Sequence, residues 1–134
     1  GIDLRKSNVE IMKNLGFEVY CEDINKMHFL KDFSVISVMD VLEHVPYPKE
    51  ILKKLSSLLK KDGCMLISMP NSESMVWRLL DAGNNNIYMT EIEHYHNFSR
   101  SNLYTLLKEC DLKPIKYGIS DRYRACMEVL AIKN

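Results

Sequence analysis

Phe33-Ser34-Val35-Ile36-Ser37-Val38, running directly into Met39-Asp40-Val41-Leu42-Glu43-His44-Val45-Pro46, decides how the chain is read. The first six residues are β-rich and mostly apolar, as expected of a buried, central strand in a parallel sheet. A helix is expected to begin in the run that follows. The carboxyl end of such a strand is where α/β sheets bind ligands. On a helix, Asp40, Glu43 and His44 project from one side. Carboxylate oxygen and neutral imidazole nitrogen are both good donors, so the trio suits a divalent cation or a polar grip on a small ligand. The same residues also suit local capping by Glu43 and packing of His44 on a neighbouring loop.

Upstream, Ser7 with Val9, Ile11, Met12 and Leu15 reads as a capped helix ended by Gly16, and Phe17 to Cys21 alternates as a strand. Downstream, Pro46 and Pro48 open a helix in which Ile51, Leu52, Leu55, Leu58 and Leu59 recur above a face of lysines, with Asp62-Gly63 as its stop. Cys64 to Met69 is the next strand. If it runs parallel to the first, Pro70-Asn71 closes it at the same sheet edge as Asp40. Residues 72–92 are less regular. Met75, Val76, Leu79 and Leu80 suggest a short helix with Trp77 and Arg78 on its flanks, and the segment is expected to act as a lid over a site. Ser99 or Ser101 caps a further helix. Two last strands, about Pro114 to Ile119 and Cys126 to Ile132, form an antiparallel hairpin across a turn at Asp121-Arg122. Strands alternating with helices imply an α/β fold with a mostly parallel sheet.

At 134 residues and 46% hydrophobic content, one domain with one core is expected. Eighteen basic residues balance eighteen acidic ones, which disfavours nucleic acid and anionic membrane surfaces as partners. The four cysteines form no CxxC pair and read as reduced thiols, and no apolar run approaches the length of a membrane span, so the expected compartment is the cytoplasm. The chain opens on Gly1, inside what reads as the end of a strand. The expectation is a piece of a longer protein.

Five segments in this order carry a resemblance: Gly1-Ile2-Asp3, Glu22-Asp23-Ile24, Phe33 through Pro48, Leu59 to Asn71, and Glu93 to Leu112. Together they resemble the class I S-adenosylmethionine-dependent methyltransferases, in particular the group containing the ubiquinone-biosynthesis O-methyltransferases. The resemblance implies a Rossmann-like sheet with a C-terminal antiparallel hairpin. It also implies that S-adenosylmethionine is held by Asp3 at the ribose hydroxyls, by Asp23 and Ile24 at the adenine, and by Met39 and Asp40 at the methionine moiety. His44 and His94 become the candidate bases that take the acceptor proton, with His96 read as structural in that role. Some relatives hold a divalent ion such as Mg with an acidic-x-x-Glu-His motif, which here implies Asp40, Glu43 and His44 as ligands, with His94 or His96 as a fourth. The implied acceptor is a small molecule bearing an oxygen or nitrogen nucleophile.

Two departures stand out. Phe33-Ser34 replaces the family's usual Phe-Asp, and the family's first strand with its glycine-rich turn has no counterpart. That turn lets backbone approach the cofactor. The sheet is therefore expected to be N-terminally incomplete. A rival reading is a catalytically inactive methyltransferase-like domain that binds a partner or serves a structural role. A nicotinamide-dependent enzyme fits the final hairpin poorly.

Overall fold

The computed structural model describes residues 1–29, 32–121 and 124–134. The chain divides into two compact units, residues 1–30 and 31–134.

In the first unit, α1 (Lys6–Asn14) starts two residues earlier than its serine suggests. Asp3, not Ser7, organises this end: its carboxylate accepts the Arg5 amide at 2.7 Å and the Asn8 side-chain amide at 2.8 Å. The end of the helix follows its glycine. Gly16 has φ 85°, its amide donates to Lys13 O, and the Phe17 amide reaches back to Met12 O at 3.1 Å. This double return satisfies carbonyls that the last turn leaves without partners. The expected Phe17–Cys21 strand is reduced to one parallel bridge, Ile2 with Tyr20.

The second unit is built on a four-stranded sheet of order β1-β2-β4-β3, comprising β1 (Phe33–Met39), β2 (Leu59–Pro70), β3 (Leu112–Ile119) and β4 (Cys126–Lys133). β1 pairs parallel with β2, and β4 lies antiparallel between β2 and β3. Three of the four strands therefore run one way, and the antiparallel hairpin is present. Of the turn expected at Asp121-Arg122, Arg122 lies outside the described residues. β1 was expected to be central but lies at the margin of this sheet, with Val35 62% exposed.

The core follows the period of two. Met65, Ile67 and Met69 on β2 face Ala131, Val129 and Met127 on β4 in direct register, and all six are fully buried. Such cross-strand apolar pairs are the unit of sheet stability, and each side chain contributes roughly 1.5–3 kcal/mol by leaving water. Leu103 and Leu107 of α5 (Arg100–Lys108), both fully buried, belong to the same core. Ser99 caps α5 by accepting the Asn102 amide at 3.1 Å.

Three elements depart from the sequence reading. α2 (Pro48–Ser57) stops four residues short of Asp62, and Leu59 already pairs with Phe33 as strand. Asp62 (φ 62°) and Gly63 instead shape an irregular stretch of β2, where a Cβ on Gly63 would stand 2.8 Å from Lys60 O. In α3 (Met75–Ala82) Trp77 is the buried residue, stacked on Tyr88 at 5.4 Å, whereas Met75 and Leu79 are exposed. A second short helix, α4 (Ile87–Thr90), follows the Gly83–Asn86 break and is capped by Asn86. No helix among the described residues is long and apolar enough to cross a membrane.

Candidate functional site

Parallel pairing brings the ends of β1 and β2 to one edge of the sheet. There the Asp40 amide donates to Ser68 O at 2.9 Å. Asp40 has φ 50°, a left-handed conformation that Asp and Asn adopt more readily than other non-glycine residues. The chain bends at this point, so the expected helix does not form. Leu42–His44 makes only one 3₁₀ turn, anchored by the fully buried Leu42. Val45 is extended, as a residue before proline tends to be.

This turn places Glu43 inside the protein. The residue is 2% exposed, and among the described residues neither carboxylate oxygen has a hydrogen-bond partner outside Glu43 itself. Burial pushes its carboxyl group up to about 7; the nearby Asp40 and Glu91 charges act in the same direction, while its own amide and His44 oppose them. Backbone bonds secure the place: Tyr95 and His96 amides both donate to Glu43 O, at 2.8 and 3.3 Å.

The loop so tethered carries the second histidine. The rings of His44 and His94 meet edge to face with centroids 4.6 Å apart. His44 Nδ1 lies 3.1 Å from Glu93 O. A carbonyl only accepts, so Nδ1 carries the hydrogen and Nε2 is left with its lone pair. His94 Nε2 lies 3.4 Å from Glu91 Oε2, and its side chain is 6% exposed. His96 Nε2 faces Pro46 O at 3.3 Å, which gives this ring a bracing role between two loops.

Among the described residues, one ligand atom each from Glu43, His44 and His94 lie within 4.8 Å of one another. Asp40 and His96, two of the five candidate ligands, are not in that group, which takes His94 as the alternative to His96. Met39, 46% exposed, and Asp40 remain at the strand end. Sequence reasoning missed Glu91, although its three-residue spacing from His94 on a polar segment was a usable signal. It also missed Cys126, paired with Pro70, whose buried thiol is pushed up to about 12 by burial and then by Asp40, Glu43 and Glu128.

The remaining expected cofactor residues belong to the first unit. Asn8's side-chain amide, then the Arg5 amide, hold the Asp3 carboxyl below its ordinary value. A carboxylate has about four acceptor positions. Two here are taken, and the partly exposed group keeps the others. Asp23 Oδ1 accepts the Asn25 amide at 2.9 Å, with Ile24 half-buried beside it.

A sheet whose forward strands end at one edge, with acidic and imidazole groups gathered there, defines a Rossmann-like ligand-binding α/β protein. Residues 1–117 match the family model described as a methyltransferase domain, and the chain belongs to that family. The ubiquinone biosynthesis O-methyltransferase of Glaesserella parasuis serovar 5 is 34% identical over 86 residues, covering 62% of this chain and 36% of that protein. That of Coxiella burnetii is 32% identical over 80 residues, covering 53% and 33%. The matched stretches thus span about a third of these curated relatives. Among solved structures, a possible histamine N-methyltransferase from Thermotoga maritima superposes with TM-score 0.78 at 18% identity, covering 100% of this chain and 72% of that one. Magnesium protoporphyrin IX methyltransferase from Synechocystis PCC 6803, with bound S-adenosylhomocysteine, does so with TM-score 0.74 at 14% identity, covering 100% and 63%. These likenesses establish the fold.

Proposed function

We infer that the chain contributes to S-adenosylmethionine-dependent methyl transfer onto an oxygen or nitrogen of a small molecule. The observation that carries this reading is the His44–His94 pair beside the buried Glu43, set at the carboxyl edge of a methyltransferase-family sheet. We take the 134 residues as one methyltransferase-like domain, with residues 72–92 as its lid.

The residues present fit the cofactor in part. Asp3, held as a carboxylate with acceptor positions to spare, suits the ribose hydroxyls, Asp23 and Ile24 the adenine, and Met39 and Asp40 the methionine end. The cofactor supplies a sulfonium-bound methyl group to a nucleophile. The protein's own task is to orient the acceptor and take its proton. His44 Nε2, freed as an acceptor by the bond from Nδ1 to Glu93 O, is the nitrogen suited to that proton. His94, oriented by Glu91, stands beside it to share or relay the charge. A positioned base of this kind contributes about 10²–10⁴ in rate.

Full-length protein is the test. Replacing His44 and His94 singly by alanine should lower methyl transfer by about 100-fold or more, with S-adenosylhomocysteine affinity retained by calorimetry. Wild-type turnover in both variants removes the pair from catalysis. Absence of S-adenosylhomocysteine binding favours the inactive, partner-binding alternative.

A second reading is favoured by the unpartnered Glu43 oxygens. Glu43, His44 and His94 form a mixed carboxylate–imidazole set suited to a divalent cation, which would polarise an acceptor hydroxyl. Their ligand atoms lie within 4.8 Å of one another, and in such a site Glu43 would supply the negative charge and the two imidazoles neutral nitrogen donors. Activity unchanged after exhaustive chelation eliminates this reading.

A further inference from the structure

A cavity of about 430 Å³ opens at the same carboxyl edge of the sheet, walled by Asn71, Met75, Val76, Tyr117, Ile119 and Arg124. Its volume falls within the roughly 300–1,000 Å³ typical of small-molecule sites. None of its walls belongs to the Glu43–His44–His94 group.

Its polar groups are mostly donors. The buried Asn71 is fixed at both ends: Oδ1 accepts the Glu73 amide at 2.9 Å, and Nδ2 donates to the Tyr117 hydroxyl at 3.3 Å. With a lone pair of Tyr117 engaged, its proton is the part left to offer. The Arg100 guanidinium lies over the Tyr117 ring, 4.4 Å from the centroid, and adds positive charge behind it. Ser74, the N-cap of α3, lines the cavity with the two residues after it, so the positive end of that helix faces the space. Among the described residues Arg124, 71% exposed, has Asp121 as its ion-pair partner, at 3.4 Å, and Asp121 is not among the described lining residues. Among the described residues Glu73 is the one acidic lining residue, and its Oε1 already accepts from Ser101 at 3.1 Å. Met75, Val76, Ile119 and the face of Tyr117 supply an apolar wall.

We propose that this cavity binds the non-reacting end of the acceptor, an apolar body bearing a carboxylate, with Arg124 and the Tyr117 hydroxyl holding the acid. The assignment to the acceptor rests on the methyl-transfer reading above; the affinity for a carboxylate does not. The proposal makes Arg124 and Tyr117 specificity residues remote from the proton-accepting pair.

Three probes sharing one ring separate charge from shape: benzoate, benzyl alcohol and benzylamine, each titrated into the full-length protein and followed by ligand-observed NMR. Benzoate should bind most tightly and benzylamine least. Arg124→Gln should weaken benzoate by about fivefold or more and leave benzyl alcohol nearly unchanged, and Tyr117→Phe should weaken benzoate by about threefold. Lys108→Gln, at the far end of α5, serves as a surface control and should bind benzoate as the wild type does. Matching circular dichroism and melting curves show that the variants fold. Equal affinity for the three probes, a preference for benzylamine, no binding of benzoate, or an Arg124→Gln variant that binds like wild type each overturns the proposal. S-adenosylhomocysteine titrated in parallel tells the two readings apart. Benzoate binding without it overturns the acceptor assignment and leaves the carboxylate site, whereas its binding without benzoate overturns the carboxylate site alone.

Discussion

Replacing Glu43 with glutamine isolates the effect of enclosing a carboxyl group that has no partner. The folded protein raises this group from 4.5 to about 7 because burial disfavours the charged form. The sign follows from which state holds the proton. Between those two values the unfolded chain has released its proton while the folded chain keeps it, so stability falls as pH rises through this window and levels off above about 7. The gap is about 2.5 pH units, and each unit is worth about 1.4 kcal/mol, giving about 3 kcal/mol for a residue only 2% exposed. Glutamine has nearly the shape of the protonated acid and cannot ionise. In chelator-treated protein, Glu43→Gln should therefore match wild type near pH 4 and exceed it by about 3 kcal/mol at pH 8. Urea unfolding at a series of pH values measures this, with Trp77, the single tryptophan and a buried one, as the fluorescent reporter. Parallel wild-type and variant profiles from pH 4 to 8 would refute the assignment of a buried, unpartnered carboxyl group.

Other outcomes follow from elements already described. Ser99→Ala removes the acceptor for the Asn102 amide and should cost about 1 kcal/mol, read as a lower melting temperature. Leu103→Ala, at a fully buried position, should cost about 2–5 kcal/mol in urea unfolding. Iodoacetamide under native conditions should label the exposed Cys21 and spare Cys126, whose thiol is buried and raised to about 12; mass spectrometry of the peptides shows which sites react. Asp3→Asn should lower S-adenosylhomocysteine affinity by about tenfold in calorimetry, because hydrogen bonds to a charged acceptor are worth about 1.5–3 kcal/mol.

What the sequence disclosed, and what it hid, divides along the range of the interactions involved. The strand read at 33–38, a serine cap at Ser99 or Ser101, the stop at Gly16 and the final hairpin depend on local patterning, and each was legible, the structure choosing Ser99 as the cap and extending the strand to Met39. The end of α2 was not, because Leu58 and Leu59 continue the helical apolar spacing while Leu59 is claimed by pairing with Phe33, a contact 26 positions away. Trp77 was assigned to a flank because the period alone does not say which side of an eight-residue helix meets the core. At the site, the Glu-His dipeptide stood out, and so did the second histidine. Glu43's inward direction did not, since it depends on a backbone bend at Asp40 that periodicity cannot register. The cavity walls were equally hidden, because they come from three separated stretches, 71–76, 117–119 and Arg124, that only the sheet brings together.

That bend has a practical meaning for anyone redesigning the chain. Asp40, Asp62, Asn84 and Asp111 all hold positive φ, and a scheme that scores backbone comfort alone would nominate glycine at each of them. At three of these turns such a change is a reasonable route to a sturdier scaffold. At Asp40 it would trade away an acid standing at the mouth of the sheet, so a library aimed at thermal hardiness should hold that codon fixed and spend its diversity on the other three.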